Sequence, residues 1–215
     1  MINLNIINQR QILNSSTCGS NCVKMILDYL GIEKSFDEVC KLCNQSAQGT
    51  LETDLALAFQ SVGISSMLYL IPDGETIWAE YVNMPVNKVV SSLKRRAGKA
   101  HNCLHRRGFT GTAQAMESGL VTIKVITRDL IQAELDKGNP WIVAVGAYPL
   151  YGWKNKKQKN LLHFVIIQGY EGNNFIVNDP AADTGGIYQV HCDHLMYCLY
   201  NTDGGAICVK KPNDF

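Results

Sequence analysis

Two apolar runs, HFVIIQG (His163–Gly169) and NFIVND (Asn174–Asp179), flank the turn-rich segment Tyr170-Glu171-Gly172-Asn173, and this pattern constrains the chain more than any other. Runs rich in β-branched and aromatic residues on either side of such a turn read as an antiparallel hairpin. With the turn centred on Glu171, His163 falls opposite Asp179, and their matching parity places both side chains on one face of the sheet. Their Cα atoms are then about 5 Å apart, which lets the carboxylate reach an imidazole nitrogen. Pro180 cannot donate to the ladder and ends the strand beside the pair. On these residues alone the pair is either a structural histidine at a strand end or a base with its orienting acid.

The rest of the chain divides in character. Residues 1–14 read as a short strand or arm, with Asn14, Ser15 and Ser16 as a turn. Helices are expected after it, ended by Gly31; over Ser35–Cys43 with Ser35 and Glu38 as a capping box; and over Thr53–Val62 with Thr53 as the cap. The middle, about residues 71–125, carries turn signals at Pro72-Asp73-Gly74, a helix from Pro85 to Ala97, and the basic cluster KRRAGKAHNCLHRR. That cluster reads as a solvated face, with binding of an acidic partner as its alternative. A helix over Thr127–Lys137 then leads into the β-rich runs WIVAVG, HFVIIQG and NFIVND, with a last strand from Ala206. Helices first and an antiparallel sheet last give an α+β fold: a helical lobe over about 15–65, an insertion over about 71–125 and a sheet lobe over about 126–215, in a single domain.

A His–Asp pair with a catalytic role needs a nucleophile, and Cys18 fits. In Thr17-Cys18-Gly19 it falls at the start of an apolar-striped helix, where unpaired N–H groups and the helix dipole stabilise a thiolate. Gly19 permits close approach of backbone and substrate, and an N–H near Cys18 is suited to hold an oxyanion. Cys22, one turn further in, has the position of a small buried hydrophobe and is expected to be inert. A second oxyanion donor is sought in a side-chain amide just upstream, where Gln11 is preferred to Gln9.

Bulk properties exclude other classes. The formal net charge of +1 gives no support to nucleic-acid or anionic-membrane binding. No apolar run approaches the length that spans a bilayer, and MINLNIINQRQILN lacks the form of a signal peptide. A cytoplasmic location with eight reduced cysteines is therefore expected, although secretion without a cleaved signal escapes this reasoning.

The stretches TCGSNCVKMILDYLG and LLHFVIIQGYEGNNFIVNDPA resemble papain-like cysteine peptidases of the C39 type. In these, Cys-Gly opens a helix, a histidine lies on one strand, and Asp-Pro-Ala closes the next. The resemblance implies Cys18 as nucleophile, His163 as base, Asp179 as orienting acid, and a protein or peptide substrate, with no cofactor. Papain-like enzymes place the oxyanion glutamine six residues before the cysteine, where this chain has Ile12, so Gln11 requires one extra residue in the loop. The C39 enzymes best known from bacteriocin export trim leaders after a double glycine. The segments TLETDLALAFQSVGI, DLIQAELDKGNPWIVAV and NTDGGAICV are also similar to proteins named for a guanylyl cyclase domain, which share the C39-like fold. No Gly-rich phosphate loop or strand carboxylate pair placed for Mg²⁺ supports cyclase chemistry.

Zinc is the main rival reading, through Cys40-x-x-Cys43, His101-Asn102-Cys103-Leu104-His105 and His191-Cys192-Asp193-His194. Core-facing spacing favours packing for the first, and no metal site is assigned. An inactive binding module and a deamidase or acyl transferase with the same thiol also remain open. Tyr148, Tyr151 and Trp153 lie just before His163 and either wall the cleft or form an ordinary loop.

Overall fold

The computed structural model describes residues 1–70, 81–152, 161–202 and 204–212. The turn at Pro72-Asp73-Gly74, Trp153 and Asp203 of the NTDGG segment lie outside the described residues. Helix α1 (Cys18–Tyr29) begins after Thr17 and stops before Gly31, which adopts φ +74°. Helix α2 (Phe36–Leu42) opens on the expected capping box: Ser35 Oγ accepts the Glu38 N–H at 3.3 Å, and Glu38 Oε2 accepts the Ser35 N–H at 2.8 Å. Helix α3 (Glu52–Ser61) starts earlier than expected. Its N-cap is Leu51, whose N–H donates to Asp54 Oδ2 at 2.9 Å, so Asp54 satisfies the helix end in place of Thr53.

The middle of the chain forms a helical hairpin, α4 (Val86–Lys99) and α5 (Cys103–Glu117), the second of which is absent from the sequence reading. Val89, Val90, Leu93 and Ala113 give it a small core of its own together with Tyr81. Helices α6 (Arg128–Leu135), capped by Thr127 and within the expected span, α7 (Ala147–Tyr151) and α8 (Cys192–Tyr200) complete the described set. Thr53, freed from capping, packs against Gly111 of α5.

The strands are β1 (Ile2–Asn3), β2 (Ser66–Leu70), β3 (Val121–Ile123), β4 (Trp141–Gly146), β5 (Leu162–Glu171), β6 (Asn174–Asp179), β7 (Gly186–His191) and β8 (Gly205–Val209). They form one sheet in the order β3-β2-β8-β4-β5-β6-β7, with β1 alongside β5, antiparallel throughout except for β2 against β3. The architecture is α+β. The sheet is not confined to the C-terminal segment, because β2 and β3 enter it from the preceding part of the chain and β2 pairs with β8.

Central strands are apolar on both faces because helices cover both. Ile142, Ala144, Phe164 and Ile166 pack under α1 and α3 with Cys22, Val23, Ile26, Leu55 and Phe59. Trp141, Val143, Val145, Val165 and Ile167 pack on the other face, against α6 and α8.

The β5–β6 hairpin departs from the expected register in an informative way. The turn holds only Gly172 and Asn173, with Glu171 facing Asn174. Continued unbroken, that pairing would put His163 and Asp179 on opposite faces, since side chains alternate with a period of two. A bulge at Gln168 restores the parity: Ile167 faces Val177 and Ile166 faces Asn178. Extending this register, Asp179 faces Val165, and His163 is its diagonal neighbour on the same face rather than its direct partner.

Gly169, next to the bulge, lies against the N-terminal strand. A Cβ there would stand 2.1 Å from the Ile2 carbonyl oxygen and 2.9 Å from the Asn3 Cα. Gly169→Ala is expected to displace β1 and cost about 1–3 kcal/mol, the range typical of overpacking. Chemical denaturation should show this loss, and limited proteolysis should show faster cutting within residues 1–14.

Candidate active site

Asp179 ends β6 fully buried, and its charge is held by donors from four directions. Oδ1 accepts from His163 Nε2 at 2.8 Å and from the Ala181 N–H at 2.8 Å. Oδ2 accepts from the hydroxyls of Tyr151 and Tyr188, each at 2.6 Å. The backbone supplies each partner: His163 is the diagonal neighbour on β5, and Tyr188 faces Val177 on β7 and so shares the Asp179 face. Tyr151 arrives from α7, its ring 6.0 Å from that of His163 between centroids. Burial pushes the Asp179 carboxyl up, but His163 and the two tyrosines outweigh it and hold the pKa below the ordinary value.

His163 is 8% exposed. Burial disfavours its charged form, yet the hydrogen bond to Asp179 and the contact with Cys18 raise its pKa. With Nε2 occupied by Asp179, Nδ1 is the nitrogen left for the thiol. Cys18, the first residue of α1, reaches His163 across the strand end. Burial raises its pKa, but the hydrogen bond and charge of His163, aided by backbone hydrogen bonds from Phe164 and Gly19, lower it below the ordinary thiol value. The arrangement therefore favours a thiolate–imidazolium pair.

Gly19 has a concrete reason to be glycine: a Cβ would lie 2.3 Å from Thr50 Oγ1 and 3.1 Å from the Phe164 ring. Cys22 is fully buried on the same helix, and its Sγ donates to the Phe164 carbonyl oxygen at 3.5 Å. Burial, with the charges of Cys18 and Asp179, pushes its pKa far up.

Cys18 and His163 open onto a cleft of about 530 Å³ between the start of α1, the start of β5 and the turn after β6. Leu13, Leu51, Leu104, Leu161 and Leu162 give it apolar walls, and Tyr151 closes it beside His163. Gln11 lines the cleft, held by its N–H on the Pro180 carbonyl at 2.8 Å and by Nε2 on the Ser15 carbonyl at 3.4 Å. Gln11 Oε1 and Thr50 Oγ1 are buried atoms without a hydrogen-bond partner among the described residues. Gln9 is drawn away, its Nε2 bonded to Asp28 Oδ2 at 2.5 Å.

The eight cysteines are free thiols. Among the described residues no group of three or more His, Cys, Asp or Glu is placed to hold a metal. Cys43 and Cys192 are core residues, and the exposed His191 ring lies 3.7 Å from Asp193. Among the described residues no helix is long and apolar enough to cross a membrane.

The sequence reading left Tyr151 as either a cleft wall or an ordinary loop residue and missed its grip on Asp179, and it missed Tyr188 altogether. The signal was the alternation in GIYQVH, where Tyr188 and Val190 turn inward and Ile187 and Gln189 outward.

A helix-terminal cysteine docked on an antiparallel sheet beside a strand histidine is the layout of the papain-like class. Within it, the chain belongs to the Peptidase_C39 like family, matched over residues 1–206. Solved structures agree in fold. One is a double glycine motif protease from an AMS/PCAT transporter in complex with the leader peptide: TM-score 0.52, 15% identity, covering 98% of this chain and 94% of that one. Another is the peptidase domain of Streptococcus ComA, a bifunctional ABC transporter: TM-score 0.51, 14% identity, covering 97% of this chain and 100% of that one. No curated protein matches the chain in sequence.

Tyr188→Phe removes one donor from a buried carboxylate, a change that costs about 1.5–3 kcal/mol for a hydrogen bond to a charged group. The Asp179 pKa then rises and its hold on the imidazolium weakens. Denaturant unfolding should show the lost stability, and the pH profile of Cys18 alkylation should move upward relative to wild type.

Proposed function

We propose that the protein is a cysteine peptidase, a thiol hydrolase that cleaves a peptide or amide bond through Cys18, His163 and Asp179. The observation that carries the reading is the continuous line from the buried Asp179 carboxylate through His163 to a thiol whose pKa is lowered, with Cys18 and His163 lining one cleft. The Cys18 thiolate attacks the carbonyl carbon, and the oxyanion that forms is held by the backbone near Cys18 and by Gln11. Donation by Gln11 requires its Nε2 to leave the Ser15 carbonyl and turn toward the oxyanion. Imidazolium His163 protonates the departing amine as the thioester forms. Water, deprotonated by His163, then releases the acid and restores the thiol, while Asp179 fixes the imidazole tautomer throughout.

A peptide substrate fits the open, leucine-walled cleft, and a leader peptide is what the AMS/PCAT relative holds in its structure. Guanylyl cyclase activity has no comparable support, because a thiol and an imidazole give that reaction neither a metal site nor a phosphate cradle. A deamidase or acyl transferase would form the same thioester and differ only in what enters or leaves.

The test is alkylation of wild type, Cys18→Ala and Cys22→Ala with a thiol-directed electrophile at mildly acidic pH, mapped by peptide mass. Fast adduct formation is expected in wild type and Cys22→Ala and absent from Cys18→Ala; labelling lost with Cys22→Ala alone would overturn the assignment. Because the Cys18 pKa is lowered by His163, its reaction should persist as pH falls below the ordinary thiol range, and His163→Ala should return it to a higher pH. Against a peptide substrate, Gln11→Ala is expected to lower kcat by about 10²–10³, as for loss of one oxyanion donor. Intact mass separates the chemistries: a fragment marks a peptidase, and a gain of about one mass unit marks a deamidase.

A further inference from the structure

The α4–α5 hairpin is unused by the reaction, yet it is placed beside the cleft. Residues 86–117 hold seven Lys and Arg against one Glu, a net +6 in a chain whose total is +1, so the remainder carries a net −5. Lys94 pairs with Glu117 at 2.6 Å and Arg107 with Asp54 at 2.6 Å. Others gather at the hairpin tip, where Arg95 and Lys99 on the last turns of α4 and Arg106 on the first turns of α5 are exposed. Among the described residues, Arg95 and Arg106 donate to neutral oxygens, Ser92 Oγ and the Ala100 carbonyl. No acidic residue occupies the first turn of α5, so Arg106 adds charge where the helix dipole is already positive.

Continuity with the cleft gives this patch its direction. Leu104, between the exposed cations, is one of the cleft walls. Arg107 fixes the tip rigidly, since its guanidinium also donates to the Asn44 carbonyl at 2.6 Å and to Ser46 Oγ at 3.2 Å, next to the wall at Gln48–Leu51. We infer that the hairpin tip is a docking surface for an acidic segment of the peptide whose scissile bond enters the cleft, with Arg95, Lys99 and Arg106 as its contacts. This rests on the peptidase reading. A peptide is favoured over nucleic acid because the patch is short, ends in an apolar peptide-sized cleft, and belongs to a chain that otherwise carries negative charge and would repel a long polyanion.

The test uses one apolar peptide in three forms: with a run of glutamates at its N-terminal end, at its C-terminal end, or with glutamines in their place. Protection of Cys18 from alkylation is read at low and high salt. At low salt one glutamate form should protect at about tenfold lower concentration than the glutamine form, and salt should erase the difference. The variant Arg95→Glu/Lys99→Glu/Arg106→Glu should lose the preference while its Cys18 reacts normally without peptide. Lys88→Glu, at the other end of α4, should keep it. Equal protection by all three forms, or a preference that survives the triple variant, would overturn the inference. Tighter binding of a short oligothymidylate than of a fluorescent glutamate peptide, read by anisotropy, would overturn it in favour of nucleic acid. Failure of the peptidase reading shows separately, as a Cys18 that alkylates no faster than an ordinary thiol in the absence of peptide.

Discussion

The Asp179 carboxylate is the interaction on which the candidate site depends. An unpaired buried carboxylate is strongly unfavourable, and a structure keeps one only if nearly every lone pair has a donor. Here the donors come from β5, β7, α7 and the turn after Pro180, so satisfying one charge fixes four pieces of backbone relative to one another. The same charge raises the His163 pKa, and His163 in turn lowers that of Cys18. Structural and electrostatic roles are thus inseparable at this residue, and a change to Asp179 is felt in the fold as well as in the thiol.

That carboxylate meets the imidazole only because of one extra residue. Gln168 at the bulge is fully buried, and its side-chain amide is bonded to Asn3 Oδ1 at 2.9 Å and Asn178 Nδ2 at 2.8 Å. Asn178 also donates to the Ile6 carbonyl, and Asn8 reaches back to Asn178 Oδ1 and the Asp179 carbonyl. This amide chain straps residues 1–8 across the hairpin, and the strap continues to Gln11 at the cleft. The bulge that sets the parity of His163 and the arm that delivers Gln11 are therefore held by one hydrogen-bond network. A register slip would break it at several points at once, which is how a hairpin with two buried faces is kept from sliding.

The sequence made the α2 cap, the central strands and the identity of the clustered thiol, imidazole and carboxylate legible, because each has a local signature: Ser35 with Glu38, the WIVAVG run, a cysteine at a helix start; the α3 cap, expected at Thr53, falls at Leu51. It did not make the register legible. The expected turn was centred on Glu171, and the true turn is shorter; the bulge compensates through contacts with Asn3 and Asn178 that are remote in sequence. Helix α5 was hidden because its window is broken by glycines at 108 and 111 and dense in charge, whereas in the fold Gly111 makes room for Thr53. Strand β7 alternates cleanly, but as a half-exposed edge strand it lacks the apolar run that marks β4, β5 and β6. Local rules name elements; the contacts that align them are long-range.

Phe164 shows how the fold distinguishes two thiols on one helix. Its backbone gives a hydrogen bond that favours the Cys18 thiolate, and its carbonyl oxygen accepts from Cys22 and holds that thiol protonated. A donor stabilises a negative sulfur and an acceptor destabilises it, so one strand residue biases the pair in opposite directions. Depth adds to the effect. Cys18 stands at the helix end among unpaired N–H groups with His163 alongside, whereas Cys22 is enclosed by the core with the negative charges of Cys18 and Asp179 nearby. Moving the reactive thiol one turn along α1 would therefore require a new partner for His163 and a new source of donors, as well as a cysteine at the right spacing.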